Sequence, residues 1–211
     1  MVALKGMLMQ VSEFPRFKKK SKIDAFVWLG TFLTVVIVSI DVGLLIGIIL
    51  SVLCIFCNSL KAHICMLGNI PNTDLFLDIE RFEKAIEIPF VKIFHYAGSI
   101  NFATKASFKN RLCSKLGVNL LKELKYADKE KLKSKKFISN LNFKQLVLDF
   151  SALSSIDPSS VNMLTTLIID FNKLSVNVHI TGTSSAIYEI FMKNEFKFMH
   201  ILYPTIADAI H

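Results

Sequence analysis

The chain has 211 residues, a formal net charge of +8 and 52% hydrophobic residues, a length for one or two domains. The apolar excess lies mostly before residue 60 and the positive charge gathers in residues 16–22 and 122–136, the second run mixed with Glu123, Asp128 and Glu130. These runs fit membrane orientation and a solvated loop, and the 18 Phe residues are scattered at packing positions, so no nucleic-acid partner is indicated.

Residues 1–11 are apolar but too short to span a bilayer, and they lack the basic start and cleavage site of a signal peptide. They read as the tail of a membrane helix whose beginning is missing, so the chain is expected to be a fragment or a truncated gene model. Residues 26–56 form the longest apolar run, interrupted at Asp41. As one helix the run would be about 46 Å long against a hydrocarbon core of roughly 30 Å. A single span would then need a tilt of about 50° and would hold Asp41 near mid-bilayer at about 3 kcal/mol. Folding back at residues 39–43 places the carboxylate at an interface and gives two arms, about 26–40 and 42–60. It also leaves Arg16, Lys18, Lys19, Lys20 and Lys22 on the same side as Lys61, so a membrane hairpin is preferred. Gly43 and Gly47 give the second arm a smooth face for another helix. Cys54-x-x-Cys57 lies inside this arm, without the βαβ context or further ligands that redox or metal chemistry needs, and Cys65 and Cys113 are isolated. Reduced thiols and no disulfide framework are expected.

Beyond residue 63 the pattern becomes α/β. Residues 64–70 read as a strand with turn residues behind it, and residues 74–82 as strand or loop. Residues 91–96 alternate with period two and read as a strand, paired through Gly98 with residues 99–102. His95 falls on its polar phase and reads as an exposed or interfacial histidine. Residues 104–116 form an amphipathic helix with Ala106, Phe108, Leu112 and Leu116 on one side, closed by Gly117. Residues 118–142 are basic and show no sustained apolar face, so a mobile insertion with at most a transient helix is expected, able to touch anionic lipid head groups.

Residues 145–150 are a nearly continuous apolar run, as in a strand buried on both faces. Residues 151–156 are a loop with a return to strand. Asp157 suits an N-cap and Pro158 the first helical position. Val161, Leu164, Ile168 and Phe171 recur at helical spacing, with Met163, Leu167 and Leu174 widening the stripe, over residues 158–174. A strand at 176–181, carrying His179 without a ligand signature, precedes a helix at 185–194 with Ile187, Ile190 and Phe191 inward. This order implies right-handed crossovers and parallel pairing. Residues 198–202 add a last strand and 205–210 a closing helical turn.

The ordered set resembles the C-terminal end of sulfate permease-type anion transporters. Its members are the basic loop, the hairpin, Leu67-Gly68-Asn69-Ile70-Pro71-Asn72, Val91-Lys92-Ile93-Phe94-His95-Tyr96, Leu146-Val147-Leu148-Asp149-Phe150 and Ser155-Ile156-Asp157-Pro158-Ser159. The resemblance implies transmembrane helices of a transporter in residues 1–62, with the hairpin at about 26–60. A STAS domain would follow in residues 63–211, a mixed sheet flanked by helices with a variable basic insertion at about 118–142. It further implies an integral membrane protein, in the plasma membrane, with a cytoplasmic regulatory domain that binds regulatory proteins, surrounded by membrane lipids and working as a homodimer. Sulfate, chloride, bicarbonate or oxalate would be moved by the full-length protein, through a core domain upstream of Met1. No cofactor, metal or catalytic residue is implied.

In soluble STAS relatives that antagonise anti-sigma factors, a serine at the start of the equivalent helix is phosphorylated, and Ser159 aligns with it. Here Ser160 replaces the usual small glycine and Pro158 intervenes, so helix capping by Asp157 is the stronger expectation for this turn and a phosphorylation switch at Ser159 the weaker. A complete membrane-tethered STAS signalling module is the competing function. An enzyme is not indicated, because no phosphate loop, metal cluster or nucleophile–base set is present.

Overall fold

The computed structural model describes residues 22–132 and 141–210. The expected helix tail at 1–11, most of the basic run at 16–22 and part of the basic insertion fall outside the described residues. The chain divides into two units, Met1–Lys61 and Ala62–His211.

The first unit contains α1 (Lys22–Ile37) and α2 (Ile40–Ser59), which pack against each other. The break falls at Val38 and Ser39. Ser39 is extended, with φ −169° and ψ 165°, and its hydroxyl oxygen accepts the N–H of Val42 at 3.4 Å. This cap restarts the helix at Ile40, so the turn expected over residues 39–43 contracts to two residues and Asp41 lies in the first turn of α2, where the helix dipole favours a carboxylate. A Cβ on Gly43 would stand 2.2 Å from Val35 Cγ2, and one on Gly47 2.9 Å from Thr31 Cγ2. The two glycines thus admit α1 itself. Ile40–Asn58 is long and apolar enough to cross a membrane, whereas the apolar part of α1, Ala25–Ile37, is shorter.

The second unit is a mixed sheet flanked by helices. Its elements are β1 (His63–Asn69), β2 (Phe76–Asp78), β3 (Val91–Ile100), α3 (Lys105–Leu116), α4 (Leu120–Leu132), β4 (Gln145–Asp149) and β5 (Leu153–Ile156). They are followed by α5 (Pro158–Lys173), β6 (Asn177–Thr181), α6 (Ser185–Lys193), a 3-10 turn at Met199–Ile201, β7 (Leu202–Tyr203) and α7 (Ile206–Ile210). The strand order is β2-β1-β3-β4-β6-β7, with β5 also paired to β3. β1 runs antiparallel to β2 and β3, while β3, β4, β6 and β7 are parallel, as the strand–helix–strand order requires.

Alternation along the strands sends Phe94, Tyr96, Leu146 and Leu148 into a core shared with Phe108 and Leu112 of α3, Leu164 and Phe171 of α5, and Ile187 and Phe191 of α6. The other face carries Val91, Ile93 and Val147 against Ala209 of α7. β4 is buried on both faces, as its apolar run predicts.

Four expectations are corrected. Residues 91–102 do not turn back at Gly98: β3 is one strand that pairs with β4 through its first half and with β5 through its second. The register shifts between Gly98 and Ser99, and Gly98 has φ +154°, a conformation open to glycine, so the glycine serves a bulge instead of a hairpin. Ala106 is exposed, and the buried face of α3 is Phe108 and Leu112. Residues 120–132 of the basic segment are the helix α4, with Leu120 and Ala127 buried and Leu124 packed against the core, and Val118 just before it is buried too. Finally, residues 199–201 wind into a 3-10 turn, and only Leu202 and Tyr203 join the sheet.

Candidate functional site

The N-terminus of α5 is a point where three segments meet. Asp157 stands at the N-cap in extended conformation, and its Oδ1 accepts the N–H of Ser160 at 2.7 Å. Its Oδ2 accepts the N–H of Phe102 at 2.7 Å, and its own N–H donates to Ile100 O at 3.1 Å. The carboxylate therefore caps one helix and holds the turn that leads into another. That turn is built locally: Asn101 Oδ1 accepts the N–H groups of Ala103 and Thr104, and the Thr104 hydroxyl donates to Ser99 O at 2.9 Å. Burial pushes the Asp157 carboxyl up, but hydrogen bonds from Ser160 and Phe102 and the nearby Lys105 charge outweigh it and hold the group below its ordinary value.

Ser159 is half-buried in the first turn of the helix, its second residue. Lys105 Nζ donates to its Oγ at 2.6 Å and also stands 4.5 Å from the centre of the Phe102 ring. Lys105, Lys109, Ser159, Asn162 and Thr166 line an open cleft of about 510 Å³ between α3 and α5. A hydroxyl at a helix N-terminus beside an ammonium group is a favourable setting for a phosphate. The structure thus brings Asp157 and Ser159 together and adds Lys105, 54 residues earlier in the chain, which no local spacing identifies.

Sequence reasoning also passed over a polar row across the sheet. Cys65 of β1 pairs with His95 of β3, His95 with Asp149 of β4, and Asp149 with Thr181 of β6. Asp149 is 5% exposed, and its Oδ2 stands 2.6 Å from His95 Nδ1. Burial pushes the Asp149 carboxyl up, yet hydrogen bonds from His95 and Ser151 prevail and hold it below the ordinary value. With the carboxylate ionised, Nδ1 carries the proton. His95 is half-buried and paired with Asp149, the interfacial alternative of the two that its strand phase allows. The signal for this pair is the shared strand register, which only the assembled sheet displays.

The STAS domain family matches residues 84–209. Prestin from Meriones unguiculatus is 24% identical over 265 aligned residues, covering 99% of this chain and 36% of prestin. A sulfate transporter from Equus caballus is 25% identical over 211 residues, covering 92% of this chain and 29% of the relative. Among solved structures, that of SLC26A9 superposes with a TM-score of 0.81 at 24% identity, covering 99% of this chain and 33% of that one. The chain spans about a third of the length of these relatives.

Proposed function

We propose a function from one premise: the chain belongs to the STAS-domain family, in the branch of SLC26 and sulfate-permease anion transporters, and matches their C-terminal part. In the full-length protein it supplies membrane helices and a STAS domain to a secondary transporter of inorganic anions. Sulfate, chloride, bicarbonate and oxalate are the candidate substrates, bound in membrane helices outside this chain. The STAS domain is cytoplasmic and binds regulatory proteins, the protein works as a homodimer, and the membrane is the plasma membrane. The hairpin stands in the scaffold against which the substrate-binding bundle rocks. The relatives are anion transporters, so no enzyme activity is assigned.

The observation that carries this reading is the continuity of the match across both units, the hairpin and the mixed sheet together. A STAS domain alone would fit many contexts, but preceded by this hairpin it fits a transporter tail. The test is uptake of radiolabelled sulfate, chloride, bicarbonate and oxalate by cells that express the full-length protein, with and without an opposing anion gradient. Saturable uptake above that of untransfected cells is expected, and this chain expressed alone should give none. Absence of flux for every one of the four anions, with the protein present at the cell surface, overturns the reading.

A further inference from the structure

We propose that His63, Cys65 and Asp78 form a binding site for a divalent transition-metal cation of the zinc class. His63 and Cys65 are two residues apart on β1 and so share a face of the sheet. Asp78 ends β2, the strand hydrogen-bonded to β1, with Leu67 opposite it. One imidazole nitrogen, the Cys65 sulfur and a carboxylate oxygen all lie within 4.8 Å of one another. In a tetrahedral zinc site such atoms stand about 3.5 Å apart, so closure by about 1 Å completes the geometry. His63 is exposed and turns without disturbing the core.

The donor set selects the ion. A thiolate beside an imidazole disfavours magnesium and calcium and suits zinc or cobalt, and a single carboxylate is an ordinary third ligand. The fourth position opens into a cleft of about 360 Å³, lined also by His95 and Asp149, where water completes the shell. Asp78 is already aimed: its Oδ1 accepts the N–H of Glu80 at 2.9 Å. Its Oδ2 is paired with Arg81 Nε at 3.4 Å, and the Arg81 side chain, 66% exposed, is free to leave for solvent. On binding, the Cys65 thiol gives its proton to water and the cation takes the place of the guanidinium. The ion would tie the first residue of β1 to the last residue of β2, across a stretch where the β1–β2 pairing begins only at Leu67.

The test titrates Co²⁺ into the full chain, tag-free, reduced and metal-stripped in detergent, and follows the thiolate-to-cobalt absorption before displacement by Zn²⁺. One equivalent is expected, with the band lost in Cys65→Ser and kept in the Cys54→Ser, Cys57→Ser and Cys113→Ser variants. His63→Gln and Asp78→Asn should each weaken binding by about tenfold or more. Arg81→Gln should tighten it severalfold by removing the competing cation. Should Cys65→Ser fail to fold, His63→Gln decides, because that side chain lies on the surface. A band that survives Cys65→Ser, a band lost with Cys54 or Cys57, an affinity unmoved by His63→Gln, or no band at all overturns the site.

Discussion

Asp157 makes two backbone hydrogen bonds with its two carboxylate oxygens, one to its own helix and one to the turn before α3. Asp157→Ala should therefore destabilise the second unit by about 1–2 kcal/mol, near the upper end for a cap, while Ser159→Ala should be nearly neutral. Denaturant midpoints of the two variants check this, and a larger loss at Ser159 would move the main structural role to the Lys105 hydrogen bond. Ser159→Glu should keep its stability, because its carboxylate meets Lys105 and the N-terminal end of α5. His179 supplies a pH prediction: burial lowers its pKa from the ordinary 6.5, and its Nδ1 has no hydrogen-bond partner among the described residues. A folded pKa below the unfolded one means that the unfolded chain binds the extra proton first. Stability should be full above about pH 6.5 and fall as the pH drops toward the folded value, a dependence that His179→Gln should flatten. At this scale the cap was legible because Asp-Pro followed by an apolar helical stripe is a local signal, whereas Lys105 and the Phe102 N–H reach Asp157 and Ser159 only through the packing of α3 beside α5.

Helices and strands whose apolar residues are dense were legible from spacing alone, as in α5, where Val161, Leu164, Ile168 and Phe171 are all buried. α4 was not, because its stripe is thin. Leu120, Leu124 and Ala127 stand at i, i+4 and i+7, but Lys122, Lys125 and Lys129 surround them and the segment averages out as polar. The bend in the pairing of β3 was hidden for a different reason: a strand that exchanges one partner for another keeps an unbroken period of two, and Gly98 signals a turn and a bulge alike. The consequence for α4 is direct. Leu120 is 4% exposed, so Leu120→Ala should cost about 2–4 kcal/mol. Ala127 is 1% exposed, and Ala127→Asp should be at least as damaging, since it buries a carboxylate without a partner. Thermal unfolding of both variants measures this; unchanged melting temperatures would return α4 to the status of a solvated insertion.

At the scale of the whole molecule, the hairpin decides how the chain lies in a membrane. α1 is about 24 Å long and α2 about 30 Å, close to a bilayer core of roughly 30 Å for the second and short for the first. The shorter helix is tolerable because Gly43 and Gly47 bring it against α2, so part of its surface faces protein instead of lipid. Capping by Ser39 puts Asp41 at the turn between the helices, where it escapes the cost of about 3 kcal/mol at mid-bilayer. In the proposed arrangement two antiparallel crossings return the chain to the side it left, so Lys22 at the start of α1 and Lys61 after α2 should share the cytoplasmic face of the membrane. Single cysteines at positions 22, 41 and 61, introduced into the full-length protein with its own cysteines, Cys54, Cys57, Cys65 and Cys113 among them, replaced by Ser, test this in intact cells with an impermeant thiol reagent. Position 41 should label from outside, and positions 22 and 61 only after permeabilisation. Gly43→Leu should weaken the arrangement, because even a Cβ there would overlap Val35, and its effect should appear as lost surface expression or altered labelling at 41. Labelling of positions 22 and 61 from opposite sides would instead require α1 and α2 to cross as one continuous span, and the capped turn at Ser39 would then have to straighten within the bilayer.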